Sequence, residues 1–87
     1  MNATVLISGA ASGIGRRTAE RFLEQGDSVH ICDVSPSMVE EFLAANPGAS
    51  GTVADIGNRS DVDRVFEDLN ERYEHLDVLV NNAGTVS

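Results

Sequence analysis

The residues best placed to do chemistry are glycines and acids, and they fall at the ends of apolar runs. Ser8-Gly9-Ala10-Ala11-Ser12-Gly13-Ile14-Gly15 follows the short apolar run Thr4-Val5-Leu6-Ile7 and opens a segment of helical period. Gly9 permits a tight exit from a strand, Gly13 leaves the backbone open to a ligand, and Gly15 lets a helix pack close to a sheet. The N–H groups of a first helical turn, with the positive end of the helix dipole behind them, suit a diphosphate. Asp33 follows at close to the roughly 20-residue offset at which an acid meets the neighbouring ribose. A carboxylate there accepts from both ribose hydroxyls and repels a 2′-phosphate, which favours NAD over NADP. Arg16 and Arg17 are the nearest cations in sequence. They lie past the turn, inside the helical segment, where solvent exposure is expected.

The positioning elements are legible from periodicity. Thr4–Ile7 reads as a strand buried on both faces. Ile14, Ala19, Phe22 and Leu23 have helical spacing, and Gly26 supplies a stop. Ser28–Asp33 reads as a second strand. Ser35-Pro36 offers an N-cap with proline in the first turn, and Ser37 with Glu40 a capping box one register later. Met38, Val39, Phe42 and Leu43 form an apolar stripe that ends at Asn46-Pro47-Gly48. Thr52-Val53-Ala54 is a third strand. Ser60 caps a third helix with Val62, Val65, Phe66, Leu69 and Tyr73 on one face. Asp77–Val80 is a fourth strand, leading into Asn81-Asn82-Ala83-Gly84. Alternating strands and helices predict an α/β, Rossmann-type doubly wound parallel sheet, partial, with strand order 3-2-1-4 over a single half-domain, residues 1–87. In that order the glycine turn, Asp33 and Asn82-Ala83-Gly84 meet at one crevice, where the winding reverses.

Composition removes other functions. The 87 residues carry fourteen acids against six arginines, no lysine, and a formal charge of −8. Such a balance argues against a nucleic-acid partner and against anionic membrane surfaces. No apolar run approaches the roughly 20 residues of a membrane helix. A signal peptide's basic start is absent too, and a cytoplasmic setting is expected. Cys32, alone, forms no internal disulfide and is read as a small buried hydrophobe. His30, His75 and Cys32 have no metal-ligand spacing, so no metal site is expected. Both histidines are read as structural, and Met38, Phe42 and Phe66 as core.

The chain resembles the short-chain dehydrogenase/reductase family. The spacing Gly9-x-x-x-Gly13-x-Gly15, the pair Asp55-Ile56 after the third strand, and Asn81-Asn82-Ala83-Gly84 after the fourth carry the resemblance, in order, over nearly all 87 residues. Ser8 stands where threonine is more usual and can make the same turn hydrogen bond. The resemblance implies NAD(P)-dependent interconversion of alcohols and ketones. It implies cofactor contacts at Gly9, Ser12, Gly13, Ile14, Gly15, Asp33, Asp55, Ile56, Asn82, Ala83 and Gly84. NADP-preferring members often carry a basic residue where this chain has Ser12 or Val34, which again favours NAD. Asn81 and Asn82 are divided between scaffold and cofactor contact.

The family's catalytic Ser and Tyr-x-x-x-Lys have no counterpart here. Tyr73 has Asp77 four residues on and is read as structural. No catalytic residue is therefore assigned, and the chain is expected to be the inactive cofactor-binding part of a longer enzyme. The resemblance further implies a small alcohol or ketone substrate and a homo-oligomer, a dimer or tetramer. The competing reading is a non-catalytic NAD-binding or sensing module complete at 87 residues. It would leave the fourth strand as a bare sheet edge.

Overall fold

The computed structural model describes residues 2–82. Along the chain run β1 (Thr4–Ser8), α1 (Gly13–Glu24), β2 (Ser28–Asp33), α2 (Pro36–Ala45), β3 (Ser50–Val53), α3 (Arg59–Arg72) and β4 (Val78–Asn81). The strands form one parallel sheet in the order β3-β2-β1-β4, as the alternation predicts.

The period-2 alternation of each strand sorts its side chains between two layers. Val5 and Ile7 of β1, with Val29 and Ile31 of β2, meet Ala19 of α1 and Val39 and Phe42 of α2. Leu6 and Cys32 point the other way and meet Val65 of α3. Helices therefore cover both faces, and β1 and β2 are buried on both. Strand β4 is not: Val78 and Val80 are half-buried, while Leu79 is 59 % exposed. Phe66, read as core, is likewise exposed, because no described element lies over that end of α3 and β4.

Caps decide where the helices begin. Of the two registers offered for α2, the chain takes the earlier: the Ser35 hydroxyl accepts from the Met38 amide at 3.4 Å and Pro36 occupies the first turn. Helix α3 starts before Ser60. Asn58 is its N-cap, accepting from the Asp61 amide at 3.1 Å, and Ser60 donates to the same oxygen at 2.7 Å. Gly26, at φ 88°, closes the turn after α1.

Strand β3 also starts earlier than its apolar residues suggest, with Ser50 and Gly51 pairing with His30 and Ile31. A Cβ at position 51 would lie 3.0 Å from the Ile31 side chain, so the strands pack tightly there. The His30 ring recruits the Ser50 and Thr52 hydroxyls, a polar reason for strand pairing that hydrophobic periodicity does not register.

Candidate functional site

Strands β1, β2 and β3 all end at one rim, and the loop from Gly9 to Ser12 lies across it. The loop is fastened on entry, where the Gly9 amide donates to the Cys32 carbonyl at 2.8 Å. Gly9 and Gly13 adopt φ of 65° and 61°, in the left-handed region that disfavours a Cβ. Between them Ala10 and Ala11 are fully buried and anchor the loop in the core. Ser12, Gly13 and Ile14 are exposed, Ile14 at 79 %. Ser12 is the N-cap of α1, yet its side chain makes no capping hydrogen bond. The first turn of this helix thus faces the rim unobstructed by its own cap.

The three glycines differ in what surrounds them. A Cβ on Gly13 would meet nothing within 4 Å, so a bulky group can approach the backbone. One on Gly15 would collide with the Gly9 carbonyl oxygen and lie 2.6 Å from Asn82 Nδ2. Gly15 is therefore required by packing, as the spacing suggests.

Asp33, half-buried at the end of β2, turns its carboxylate to the glycine loop. Oδ2 accepts from the Ala11 amide at 3.1 Å and Oδ1 from the Ser35 amide at 3.2 Å. Each oxygen keeps further acceptor capacity. The Asp33 carbonyl accepts from the Ala54 amide at 2.9 Å, which holds the start of the β3–α3 loop at the same rim. In that loop Asp55 is exposed; its Oδ1 accepts from the Gly57 amide at 2.8 Å, and its own amide donates to Asp61 Oδ2 at 2.8 Å. The Asp61 carboxyl is held below the usual carboxylate range chiefly by that amide and then by Arg64.

On the other flank, β4 is laced to the loop. Ser8 Oγ donates to Asn81 Oδ1 at 3.1 Å and accepts from the Asn82 amide at 3.1 Å, and Asn82 Nδ2 donates to the Gly9 carbonyl at 3.2 Å. These are scaffold contacts, and the sequence offers only the Ser8 hydroxyl and the two amides as their signal. Ala83 and Gly84 lie outside the described residues.

Ile56 lines an apolar cavity of about 150 Å³ with Leu6, Cys32, Val65, Phe66 and Leu79. Cys32 is buried in it, and burial, with the neighbouring Asp33 charge, pushes its thiol up to about 11. The thiol is inert rather than nucleophilic at neutral pH. Among the described residues, no group of three His, Cys, Asp or Glu side chains could hold a metal ion. Arg16 is not free in solvent. Its guanidinium lies 5.8 Å from the Phe42 ring centroid and pairs with Glu20 at 3.2 Å and Glu41 at 3.6 Å. Arg17 is largely exposed. No helix among the described residues is long and apolar enough to cross a membrane.

Comparison with known proteins agrees with this architecture. The family model for short chain dehydrogenases matches residues 3–87. The subunit BbsD of (2S)-[(R)-hydroxy(phenyl)methyl]succinyl-CoA dehydrogenase from Thauera aromatica is 44 % identical over 95 % of this chain and 35 % of its own length. Sorbitol dehydrogenase from Cereibacter sphaeroides is 36 % identical over 92 % of the chain and 32 % of its own length. Among solved structures, an actinorhodin polyketide ketoreductase variant with NADPH superposes with a TM-score of 0.92 at 31 % identity, covering 97 % of this chain and 34 % of that one. A 3-ketoacyl-(acyl-carrier-protein) reductase from Brucella melitensis complexed with NADH gives 0.84 at 32 % identity, covering 88 % and 32 %. The chain spans about a third of the length of the curated relatives it matches. With its glycine loop, sheet order and family match in agreement, this chain belongs to the short-chain dehydrogenase family of oxidoreductases.

Proposed function

We propose that this chain is the dinucleotide-binding part of an NAD-dependent oxidoreductase that interconverts an alcohol and a ketone. The observation that carries the reading is the Asp33 carboxylate, turned toward the glycine loop and hydrogen-bonded to the Ala11 amide at 3.1 Å. The residues present fit the cofactor. Around Gly13 there is space where a Cβ would meet nothing, and the exposed turn Ser12-Gly13-Ile14 presents amides and the positive helix end to a diphosphate.

In this reading Gly9, Ser12, Gly13 and Ile14 hold the diphosphate, and Gly15 keeps α1 close enough for its amides to reach it. Asp33 binds the adenosine ribose through its remaining acceptor capacity. Asp55 and Ile56 flank the adenine, and Asn82, Ala83 and Gly84 line the nicotinamide side. Bound nicotinamide supplies the hydride chemistry, and the protein supplies its placement. Acid chemistry at the substrate oxygen falls to residues beyond these 87, since the chain has no lysine to assist a tyrosine. A dimer or tetramer and a cytoplasmic setting complete the reading.

NAD is favoured because a second negative group beside Asp33 would be repelled, and because Ser12 and Val34 bring no positive charge to that corner. Calorimetry of the protein with NAD and NADP tests the assignment. Tighter binding of NAD, abolished by Gly13→Val, is the expected result. Equal affinity for the two, or a Gly13→Val variant that binds normally, overturns it.

A further inference from the structure

Behind the rim a fully buried histidine is bonded at both ring nitrogens, and for the neutral ring the donors and acceptors around it allow one arrangement. His30 Nδ1 lies 2.7 Å from Ser50 Oγ and Nε2 lies 2.8 Å from Thr52 Oγ1. The Thr52 hydroxyl has a single hydrogen and donates it to Asp68 Oδ2 at 2.7 Å, where a carboxylate can only accept. Thr52 Oγ1 must therefore accept from His30, which puts the ring hydrogen on Nε2. Nδ1 is then an acceptor and takes the Ser50 hydrogen. Ser50 Oγ, 3.4 Å from the Tyr73 hydroxyl, is left to accept there. The chain runs one way, from Tyr73 through Ser50, His30 and Thr52 to Asp68. The opposite tautomer would strand either Nε2 or Asp68 without a hydrogen.

This chain crosses three elements. It starts and ends on or beside α3, passes twice through β3, and turns on β2. The two elements that flank the β3–α3 loop are thereby tied to each other and to the strand that carries Asp33. No apolar contact could set this register so sharply, because hydrogen bonds are directional and a buried unpaired group is costly.

We propose that His30 is a positioning residue, held as the Nε2–H tautomer, whose hydrogen-bond chain to Asp68 and Tyr73 sets where the β3–α3 loop presents Asp55 and Ile56 to the dinucleotide. The role rests on the cofactor reading given above; the tautomer does not.

The experiment combines ring nitrogen NMR of protein labelled at histidine with NADH titration, using variants shown by circular dichroism to be folded. Wild type is expected to show the Nε2–H tautomer for His30, with a slowly exchanging ring proton. Thr52→Val removes the acceptor and should lose that signature and weaken NADH binding roughly tenfold, about one hydrogen bond's worth. Thr52→Ser keeps the hydroxyl and should restore both. If Thr52→Val does not fold, Asp68→Ala frees the Thr52 hydrogen from half-buried α3, and mixed tautomers with weakened NADH binding are expected. An Nδ1–H ring in the wild type overturns the chain. A folded variant that loses the tautomer but binds NADH as tightly as wild type overturns the positioning role. Wild type that binds neither NADH nor NADPH removes the cofactor reading and the positioning role together, while the ring signature still reports on the chain itself.

Discussion

Asp33 Oδ2 accepts the Ala11 amide hydrogen at 3.1 Å, so the acid at the end of β2 also braces the glycine loop after β1. Removing it therefore has two separable consequences. Asp33→Ala is expected to shift the preference toward NADP, since the repulsive charge goes, and also to loosen the loop and cost about 1–2 kcal/mol of stability. Asp33→Asn keeps one oxygen acceptor and should retain more of the stability while still relaxing the discrimination. Calorimetric affinities for both dinucleotides, beside thermal midpoints, separate the effects. An unaltered NAD/NADP ratio in both variants would remove Asp33 from the ribose role.

Gly15→Ala is a packing test. Its methyl group would collide with the Gly9 carbonyl oxygen, a backbone atom that cannot rotate aside. The loop and α1 must separate, at a cost of about 2–3 kcal/mol. Gly13→Ala meets no atom and carries only the strain of φ 61°, about 1–2 kcal/mol. Urea unfolding should rank wild type above Gly13→Ala and Gly13→Ala above Gly15→Ala. Equal midpoints for the two alanine variants would contradict the close contact at Gly15.

The sheet order and the placement of the glycine turn and Asp33 were legible because they rest on periodicity and glycine punctuation. The start of β3 was not. Ser50 and Gly51 look like loop, and only the neighbouring strand's His30 explains why they pair. The start of α3 was missed for a related reason: Asn58 and Ser60 both suit an N-cap, and which one reaches the Asp61 amide is a matter of geometry. Phe66 and Leu79 sit at apolar positions of a helix and a strand, and sequence alone does not show which partner covers them. Helical spacing predicts solvent for Arg16, yet its guanidinium lies over the Phe42 ring, a tertiary neighbour that the spacing does not reveal.

Cys32 should resist thiol reagents in the folded protein. Its thiol is buried and shifted up to about 11, so little thiolate exists at pH 8. Modification by a chromogenic disulfide is expected to be slow in buffer and fast in denaturant. Rapid native-state labelling at pH 8 would show the cavity beside Ile56 to be open to solvent and the thiol to be unshifted.

His30 makes stability depend on pH in a defined window. Burial, the largest influence, and the Arg72 charge lower its pKa, the Asp68 charge opposes them, and the result falls from 6.5 to about 4. Between those values the unfolded chain binds a proton that the folded chain refuses. Unfolding free energy therefore rises with pH across that interval. Above pH 6.5 the ring is neutral in both states and its contribution is complete; it is lost as pH falls toward 4, below which both states are protonated and no further loss comes from this group. The slope from one such proton is at most about 1.4 kcal/mol per pH unit. His30→Gln keeps hydrogen-bonding atoms in the core but does not titrate, so the part of the slope between pH 6.5 and 4 that belongs to the ring should vanish in urea titrations across that range. If wild type and variant have parallel stability profiles there, the ring takes up its proton equally in the folded and unfolded chains, and burial does not hold it neutral.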